Sequence, residues 1–312
     1  MKTYAPQYYP QFRCIADQCK HSCCIGWEIH IDEDTYATYR DMPGELGKRI
    51  NENIAVCDGD AAFILKEGDR CPFLNERGLC DLIIAGGEEL LCNICDKHPR
   101  YYHWFLDCKE VGVGLSCEAA AKLIVSEQSP MQLVCVGCDD AEEEVNDIDT
   151  EWMFEDRQNI LSMLQDRTVD IKQRIQNVCD FCEITDPNLT PEAIKNFCLQ
   201  LEILDEQWHT HLQNLSADGW TPLSKAPVIA EQLLCYFIYR HYSNGIWEDG
   251  YTQYVLFALY SVRMIFAMTE TLIGELSIDN IAEIARMYSA EIEYSEENLE
   301  RMLDMLYASA EE

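Results

Sequence analysis

The stretch CIADQCKHSCCIGW, Cys14 to Trp27, packs four cysteines into eleven residues, two of them adjacent. Cysteines at this density serve as a disulfide staple, a metal site or a nucleophile. Length argues against the staple: 312 residues can bury one large core or two ordinary ones, so the chain does not depend on cross-links to stay folded. Seventeen cysteines then ask for a chemical reason. The opening MKTYAPQYYP carries neither a basic leader nor an apolar signal-like run, so the expectation is a cytoplasmic protein with reduced thiols.

Working outward, Cys14-x4-Cys19-x3-Cys23-Cys24 is followed by Cys71-x8-Cys80, by Cys92-x2-Cys95, and then by Cys108 and Cys117. A Cys-x2-Cys pair places two thiolates on one turn around a metal, and both structural zinc and iron–sulfur clusters favour thiolates. Zinc commonly takes two close pairs per ion, and only one clear pair lies inside this set. Adjacent Cys23 and Cys24 fit poorly on one ion because neighbouring side chains diverge, whereas a cube of iron and sulfide offers several corners. The ligand pattern therefore favours iron–sulfur, with zinc as the alternative. A catalytic cysteine needs a low-pKa thiolate beside a His, and seven His among seventeen Cys give too many chance pairings to single one out. His98 and His103 read as parts of a polar loop after Cys95 before they read as ligands or bases.

Thirteen of the seventeen cysteines precede residue 140, and the acidic run DDAEEEVNDIDTE from Asp139 to Glu151 follows them. The expected division is a cysteine-cluster domain at 1–138, an acidic linker at 139–151 and an α-helical domain at 152–312. Beyond the run, apolar residues recur at helical spacing. Thr190 with Pro191, Ser277 before Ile278, and Ser295 before Glu296 and Glu297 mark helix starts. Helices are expected near 151–180, 190–215, 225–246, 252–274, 277–291 and 295–309. The first part has one expected helix, after Asp32, and otherwise short segments broken by Gly, Pro and Cys. The fold class is thus mainly α: a cysteine-rich metal-binding N-terminal domain of short irregular segments, then an α-helical C-terminal domain.

A formal charge of −33 repels phosphate backbones and anionic lipid, so nucleic acid is not an expected partner and basic surfaces are. The longest apolar stretch, Val255 to Met268, is interrupted by Arg263 and too short to span a bilayer, so no membrane partner is expected.

FRCIADQCKHSCCIGWEIHID (12–32), CPFLNERGLC (71–80), GEELLCNICDKHPRYY (87–102) and GVGLSCEAAAKL (112–123) resemble the flagellin lysine-N-methylase family, FliB, and the wider zinc- or iron-chelating cysteine-cluster proteins. The resemblance covers roughly the first 125 residues in separate motifs. It implies methyl transfer from S-adenosylmethionine to lysine ε-amines of flagellin, with an associated [4Fe–4S] cluster. Carried over by position, Cys14, Cys19, Cys23, Cys24, Cys71, Cys80, Cys92 and Cys95 form the cluster region, with Cys117 a further candidate. Two departures stand out: His98-Pro99-Arg100 replaces a frequent Tyr-Pro-Arg, and no Cys-x3-Cys-x2-Cys radical motif occurs.

VGVGLSC, Val111 to Cys117, holds only Gly-x-Gly and lacks a following βαβ unit, which does not support a Rossmann methyltransferase. The donor would instead bind at an open iron, with Arg100 clamping its carboxylate. A carboxylate or tyrosinate would accept the lysine proton. Trp27, Tyr101, Tyr102 and Trp104 are candidates for the acceptor pocket because aromatic faces attract ammonium groups, with Tyr101 and Tyr102 the preferred catalytic positions. Trp27 can equally pack behind the cysteines. The competing reading is a non-catalytic zinc- or iron-binding protein whose helical half binds a partner.

Overall fold

Strand β1 (Lys2–Pro6) does not pair with its sequence neighbours. It runs parallel to Cys108–Val113 and antiparallel to Leu133–Cys138. That pairing carries the first residues into the second part of the chain. The two compact units are accordingly Arg13–Arg100, and Met1–Phe12 together with Tyr101–Glu312. The computed structural model describes residues 1–57, 59–138, 150–216, 219–246 and 250–311.

The unit Arg13–Arg100 is built from short elements: β2 (His30–Ile31), α1 (Glu33–Asp41), α2 (Gly44–Glu52), β3 (Ile54–Cys57), β4 (Asp60–Phe63), α3 (Asp81–Gly86) and α4 (Asn93–Lys97). Its three strands form an antiparallel sheet in the order β2-β4-β3. Asp32 joins two helix starts, as one carboxylate oxygen accepts from Thr35 N of α1 at 3.1 Å and the other from Asn93 N of α4 at 2.8 Å. Burial opposes the charge of Asp32, but these donors outweigh it and hold the carboxyl below its usual range. The apolar core is small, with Ile29, Tyr39, Ile50, Phe63, Phe73 and Leu82 around buried Cys71 and Cys92.

The other unit continues with β5 (Arg100–Trp104), β6 (Cys108–Val113), α5 (Glu118–Ser126) and β7 (Leu133–Cys138), giving a four-stranded sheet in the order β5-β6-β1-β7. Among the described residues eight helices follow: α6 (Glu151–Leu164), α7 (Ile171–Phe181), α8 (Pro191–Cys198), α9 (Glu206–Asn214), α10 (Pro227–His241), α11 (Thr252–Leu272), α12 (Ile278–Tyr288) and α13 (Glu296–Glu311). Residues 101–138 were expected with the cysteine domain. They lie with the helices instead, because β6 and β7 hold β1 and α5 packs on α10 and α12. Most of the expected acidic linker, residues 139–149, falls outside the described residues.

The chain is mainly helical, as expected. Thr190 accepts from Ala193 N, Ser277 from Asn280 N and Ser295 from Asn298 N, so all three marked starts hold. Two expected long helices are each broken in two. Asp170 caps a new start at α7 by accepting from Gln173 N, and Asp205 caps α9 by accepting from Gln207 N. After α12 the helix widens into a π-helical turn, Ser289–Glu293.

Helix α11 is long and apolar enough to cross a membrane by length and composition, yet most of it is buried within the unit. It is apolar all round because α9, α10, α12 and α13 pack against it. Arg263 escapes the apolar environment by pairing with Asp186 at 2.8 Å.

Candidate functional site

Within Arg13–Arg100, backbone geometry gathers cysteines from three sequence segments. Cys71 N donates to Cys24 O at 2.8 Å, which ties the first segment to the second. The loop Cys71–Cys80 folds back on itself: Leu74 bridges to Cys80, Asp81 N donates to Phe73 O at 2.8 Å, and Asn75 Oδ1 accepts from Arg77 N and Leu79 N. Gly78 at the tip takes φ +73°, a left-handed conformation that suits glycine. Cys92 stands immediately before α4, whose first amide is held by Asp32, and Cys95 N donates to Cys92 O at 3.0 Å within the same turn.

The thiols register one another electrostatically. A hydrogen bond from Cys23 lowers Cys24 to about 7 against the opposing effect of burial. Burial pushes Cys71 up to about 12, and the nearby Cys24 and Cys80 add to the effect. Burial likewise raises Cys80, with Cys24 contributing. The hydrogen bond between Cys92 and Cys95 splits that pair, Cys92 downward and Cys95 upward, and Cys95 also senses Cys24 and Cys71. Cys24, Cys71, Cys80 and Cys95 are thus linked as neighbours, with Cys92 joined through Cys95 and Cys23 through Cys24.

Cys14 and Cys19 make local bonds instead: Ala16 N donates to Cys14 Sγ, and Cys19 Sγ donates to His21 O. Cys108 and Cys117 belong to the other unit. Among the described residues, no three His, Cys, Asp or Glu side chains converge closely enough to hold a metal ion. The donors nevertheless fit a thiolate-bound metal group in chemistry and neighbourhood, since five thiols share one small core and none is spent in a disulfide. Trp27 braces this region, donating from Nε1 to Cys23 O at 2.6 Å and packing against His98 with ring centroids 6.0 Å apart. Burial lowers His98 to about 4, with Arg100 adding, so its ring is neutral. Arg100 Nη1 donates to Asp96 O at 3.2 Å.

The second concentration of chemistry lies in the helical unit. Side chains alternate along β5, so Tyr101 and His103 share one face while Tyr102 and Trp104 take the other. On the first face, the Tyr101 ring meets Tyr236 and Tyr239 of α10, with centroids 6.4 and 6.3 Å away. The Arg240 guanidinium sits 4.9 Å from the ring centres of both Tyr101 and Tyr294. Its Nη1 donates to Tyr236 OH at 2.6 Å and reaches Glu293 Oε1 at 3.3 Å, while His241 Nε2 lies 2.6 Å from the same carboxylate oxygen. Glu293 reaches this position from the π-helical turn, a form of local irregularity that recurs at functional sites.

The two glycines of VGVG make room for this network. A Cβ on Gly112 would collide with the Tyr101 ring, and one on Gly114 would collide with the Tyr294 hydroxyl. Close approach of tyrosines, rather than of a nucleotide phosphate, is what the Gly-x-Gly provides. A buried pair adjoins it: Arg157 of α6 donates to both oxygens of Glu110 on β6, at 2.5 and 2.8 Å, and stacks over Phe154 and Tyr239.

Tyr101 OH and His103 Nε2 are buried without a hydrogen-bond partner. Burial raises Tyr101 well above the usual phenol value and drops His103 to about 3. Both groups are neutral at physiological pH, so Tyr101 stands as a phenol. On the opposite face of β5, the Lys109 ammonium lies 4.9 Å from the Tyr102 ring centre and 4.2 Å from that of Trp104. The structure therefore separates Tyr101 from the other two aromatic candidates of its strand.

Sequence reasoning passed over Arg240, His241 and Glu293. The signal was present in LLCYFIYRH, where two basic residues end an otherwise apolar helix and need a buried partner.

Comparison with known proteins adds an independent line. Residues 189–311 match the family described as the FliB lysine N-methylase C-terminal domain. A lysine-N-methylase of Salmonella typhimurium is 24% identical over 141 residues, which cover 41% of this chain and 33% of that protein. The lysine-N-methylase of Salmonella choleraesuis is 23% identical over the same length and shares. A flagellar biosynthetic protein FliU of Salmonella muenchen is 24% identical over 141 residues, covering 41% of this chain and 79% of that protein. The aligned part thus spans about a third of the curated lysine-N-methylases, at 33% of their length. No solved structure matches the chain.

Proposed function

We propose, from the premise that this chain belongs to the FliB lysine N-methylase family, that it is a protein-lysine N-methyltransferase acting in the cytoplasm on flagellin. It takes methyl groups from S-adenosylmethionine and holds a [4Fe–4S] cluster, or zinc in its place, on its thiol core. The observation that carries the reading is the match of residues 189–311 to the FliB lysine N-methylase C-terminal domain.

When bound, the sulfonium donor supplies a methyl group already activated for displacement by an amine. The protein's own task is to deliver that amine neutral. With a reference pKa near 10.4, only about one lysine in 2,500 is deprotonated at pH 7, a handicap of roughly 4.6 kcal/mol. Desolvation lowers it, and a carboxylate, or a tyrosinate other than Tyr101, which is held as a phenol, takes the proton. The nitrogen lone pair then forms the N–CH₃ bond as the S–CH₃ bond breaks, and the electron pair leaves with sulfur.

A thiolate-bound cluster supplies folding free energy and a metal centre against which the donor can be oriented. Cys24, Cys71, Cys80, Cys92 and Cys95 are the residues to hold it, with Cys23 alongside. Cys92→Ser is expected to lower metal bound per chain at least severalfold, whereas Cys14→Ser leaves it near the parent level. Elemental analysis on protein purified without air checks this, and equal loss in both variants would dissolve the grouping.

Arg100 is assigned to the donor's carboxylate. Arg100→Ala should weaken S-adenosylmethionine binding about ten- to a hundredfold, the scale of a lost hydrogen bond to a charged group. Calorimetric titration that finds unchanged affinity would remove Arg100 from the donor site.

The reading as a whole is tested by incubating the air-free, metal-loaded chain with S-adenosylmethionine and unmodified flagellin, then weighing intact flagellin by mass spectrometry. Lysine-borne methyl increments are expected. Their absence, with zinc and no sulfide on the protein, would leave a non-catalytic metal-binding protein.

A further inference from the structure

Lys109 is set apart by where its ammonium rests. Acidic residues outnumber basic ones, 56 to 23, and Lys48, Lys122, Lys195 and Lys225 each lie near a carboxylate. Among the described residues Lys109 makes no ion pair. Its ammonium rests instead on two aromatic rings, 4.2 Å from the centre of Trp104 and 4.9 Å from that of Tyr102. Both distances fall inside the roughly 6 Å range over which a ring face attracts a cation. Trp104 and Tyr102 stand two residues apart on β5, so strand alternation puts their side chains on one face, and Lys109 reaches them from the adjacent strand β6. Trp104 is 40% exposed, so its ring is within reach of a side chain from outside.

We propose that Tyr102 and Trp104 form two walls of an ammonium-recognition site for lysine and methylated lysine side chains of a protein partner. Lys109 occupies that site as an internal competitor. The naming of lysine as the ligand rests on the lysine-methylase reading; the ammonium site itself rests on the rings and the cation already seated between them. Aromatic walls hold a methylammonium at least as readily as an ammonium, because each methyl group spreads positive charge and sheds water. The large negative charge of the chain raises the local concentration of cationic segments. In this arrangement Lys109 sets a threshold: an incoming lysine side chain must displace a tethered one.

The test uses the full chain and a short flagellin-like peptide carrying one trimethyllysine, with binding read from two-dimensional NMR of the tryptophan indole signals. Lys109→Thr, which keeps a strand-forming residue, should bind about fivefold more tightly than the parent chain. Trp104→Ala added to Lys109→Thr should abolish that gain, and thermal melts of each variant confirm that the fold persists. Equal affinity of the parent and Lys109→Thr overturns the proposal, as does a gain that survives Trp104→Ala. These outcomes are separable from the enzymatic reading. A chain that binds the peptide through Trp104 but transfers no methyl retains the ammonium site and loses the methylase. Methyl transfer with no peptide response to Lys109→Thr does the reverse.

Discussion

Replacing Glu110 with alanine is expected to destabilise the helical unit by about 3 to 5 kcal/mol, the cost of leaving a buried charge without its partner. Arg157 and Glu110 are both almost fully enclosed, and the guanidinium donates to both carboxylate oxygens. Burial works against the charge on Arg157, but Glu110 outweighs it and raises the guanidinium above its ordinary value. Once the carboxylate is gone, the faces of Phe154 and Tyr239 remain beside the cation, and rings replace a fraction of an ion pair. The double variant Glu110→Leu with Arg157→Met should recover most of the loss, because an apolar pair of similar size avoids both desolvation costs. Denaturant melts of the single and double variants decide it. A double variant as unstable as Glu110→Ala would show that the loss comes from packing rather than charge.

The second large effect is a pH dependence at Glu291. This side chain is 2% exposed and accepts Leu204 N at 2.6 Å from within the π-helical turn. Asn298 Nδ2 fixes the turn by donating to Glu291 O at 2.8 Å and to Glu202 O at 2.9 Å. Burial pushes the carboxyl up to about 7, partly offset by backbone donors of Leu204 and Asp205, while Asp205 and Glu202 add repulsion. Because the folded value lies above the unfolded one, the fold binds this proton more tightly than the unfolded chain does. The associated stability is fully present below about pH 4.5 and is lost as pH rises through 7. Above that, ionised Glu291 costs on the order of 3 kcal/mol. Glu291→Gln stays neutral and keeps an acceptor for Leu204 N. It should therefore be more stable than the parent at pH 8 and about equal to it at pH 4.5. A stability difference that is the same at both pH values would mean that Glu291 does not carry this linkage.

What could be read from the sequence was local. A cap side chain and the amide it binds lie two or three residues apart, so Thr190, Ser277 and Ser295 announced their helices. Asp170 and Asp205 carried the same signal, but uninterrupted apolar periodicity around them hid two breaks. The partners of β1 were not legible, because nothing local in KTYAP specifies strands at Cys108–Val113 and Leu133–Cys138. The cysteine pattern pointed to a chemistry without sorting its members, since only the folding of the Cys71–Cys80 loop, its tie to Cys24 and the start of α4 at Cys92 bring five thiols together. Tyr101 and Tyr102, adjacent in sequence, looked interchangeable until strand alternation assigned one to Arg240 and the other to Lys109. Gly112 and Gly114 signalled close approach, but not what approaches.

The route of the chain through its sheet has a consequence for how this protein tolerates change. The backbone leaves the sheet after β1 and returns to it with β5, so Arg13–Arg100 is, topologically, one very long loop whose two ends join strands of a single sheet, β1 and β5, with β6 between them. Closing a loop costs only about 0.6 kcal/mol more for each doubling of its length. The sheet is therefore nearly indifferent to how large its insert is, which leaves the thiol-bearing segment open to growth, trimming or exchange at little cost to the helical unit. Removing β1 is a different matter: it would strip the strand between β6 and β7 and leave both with bare edges.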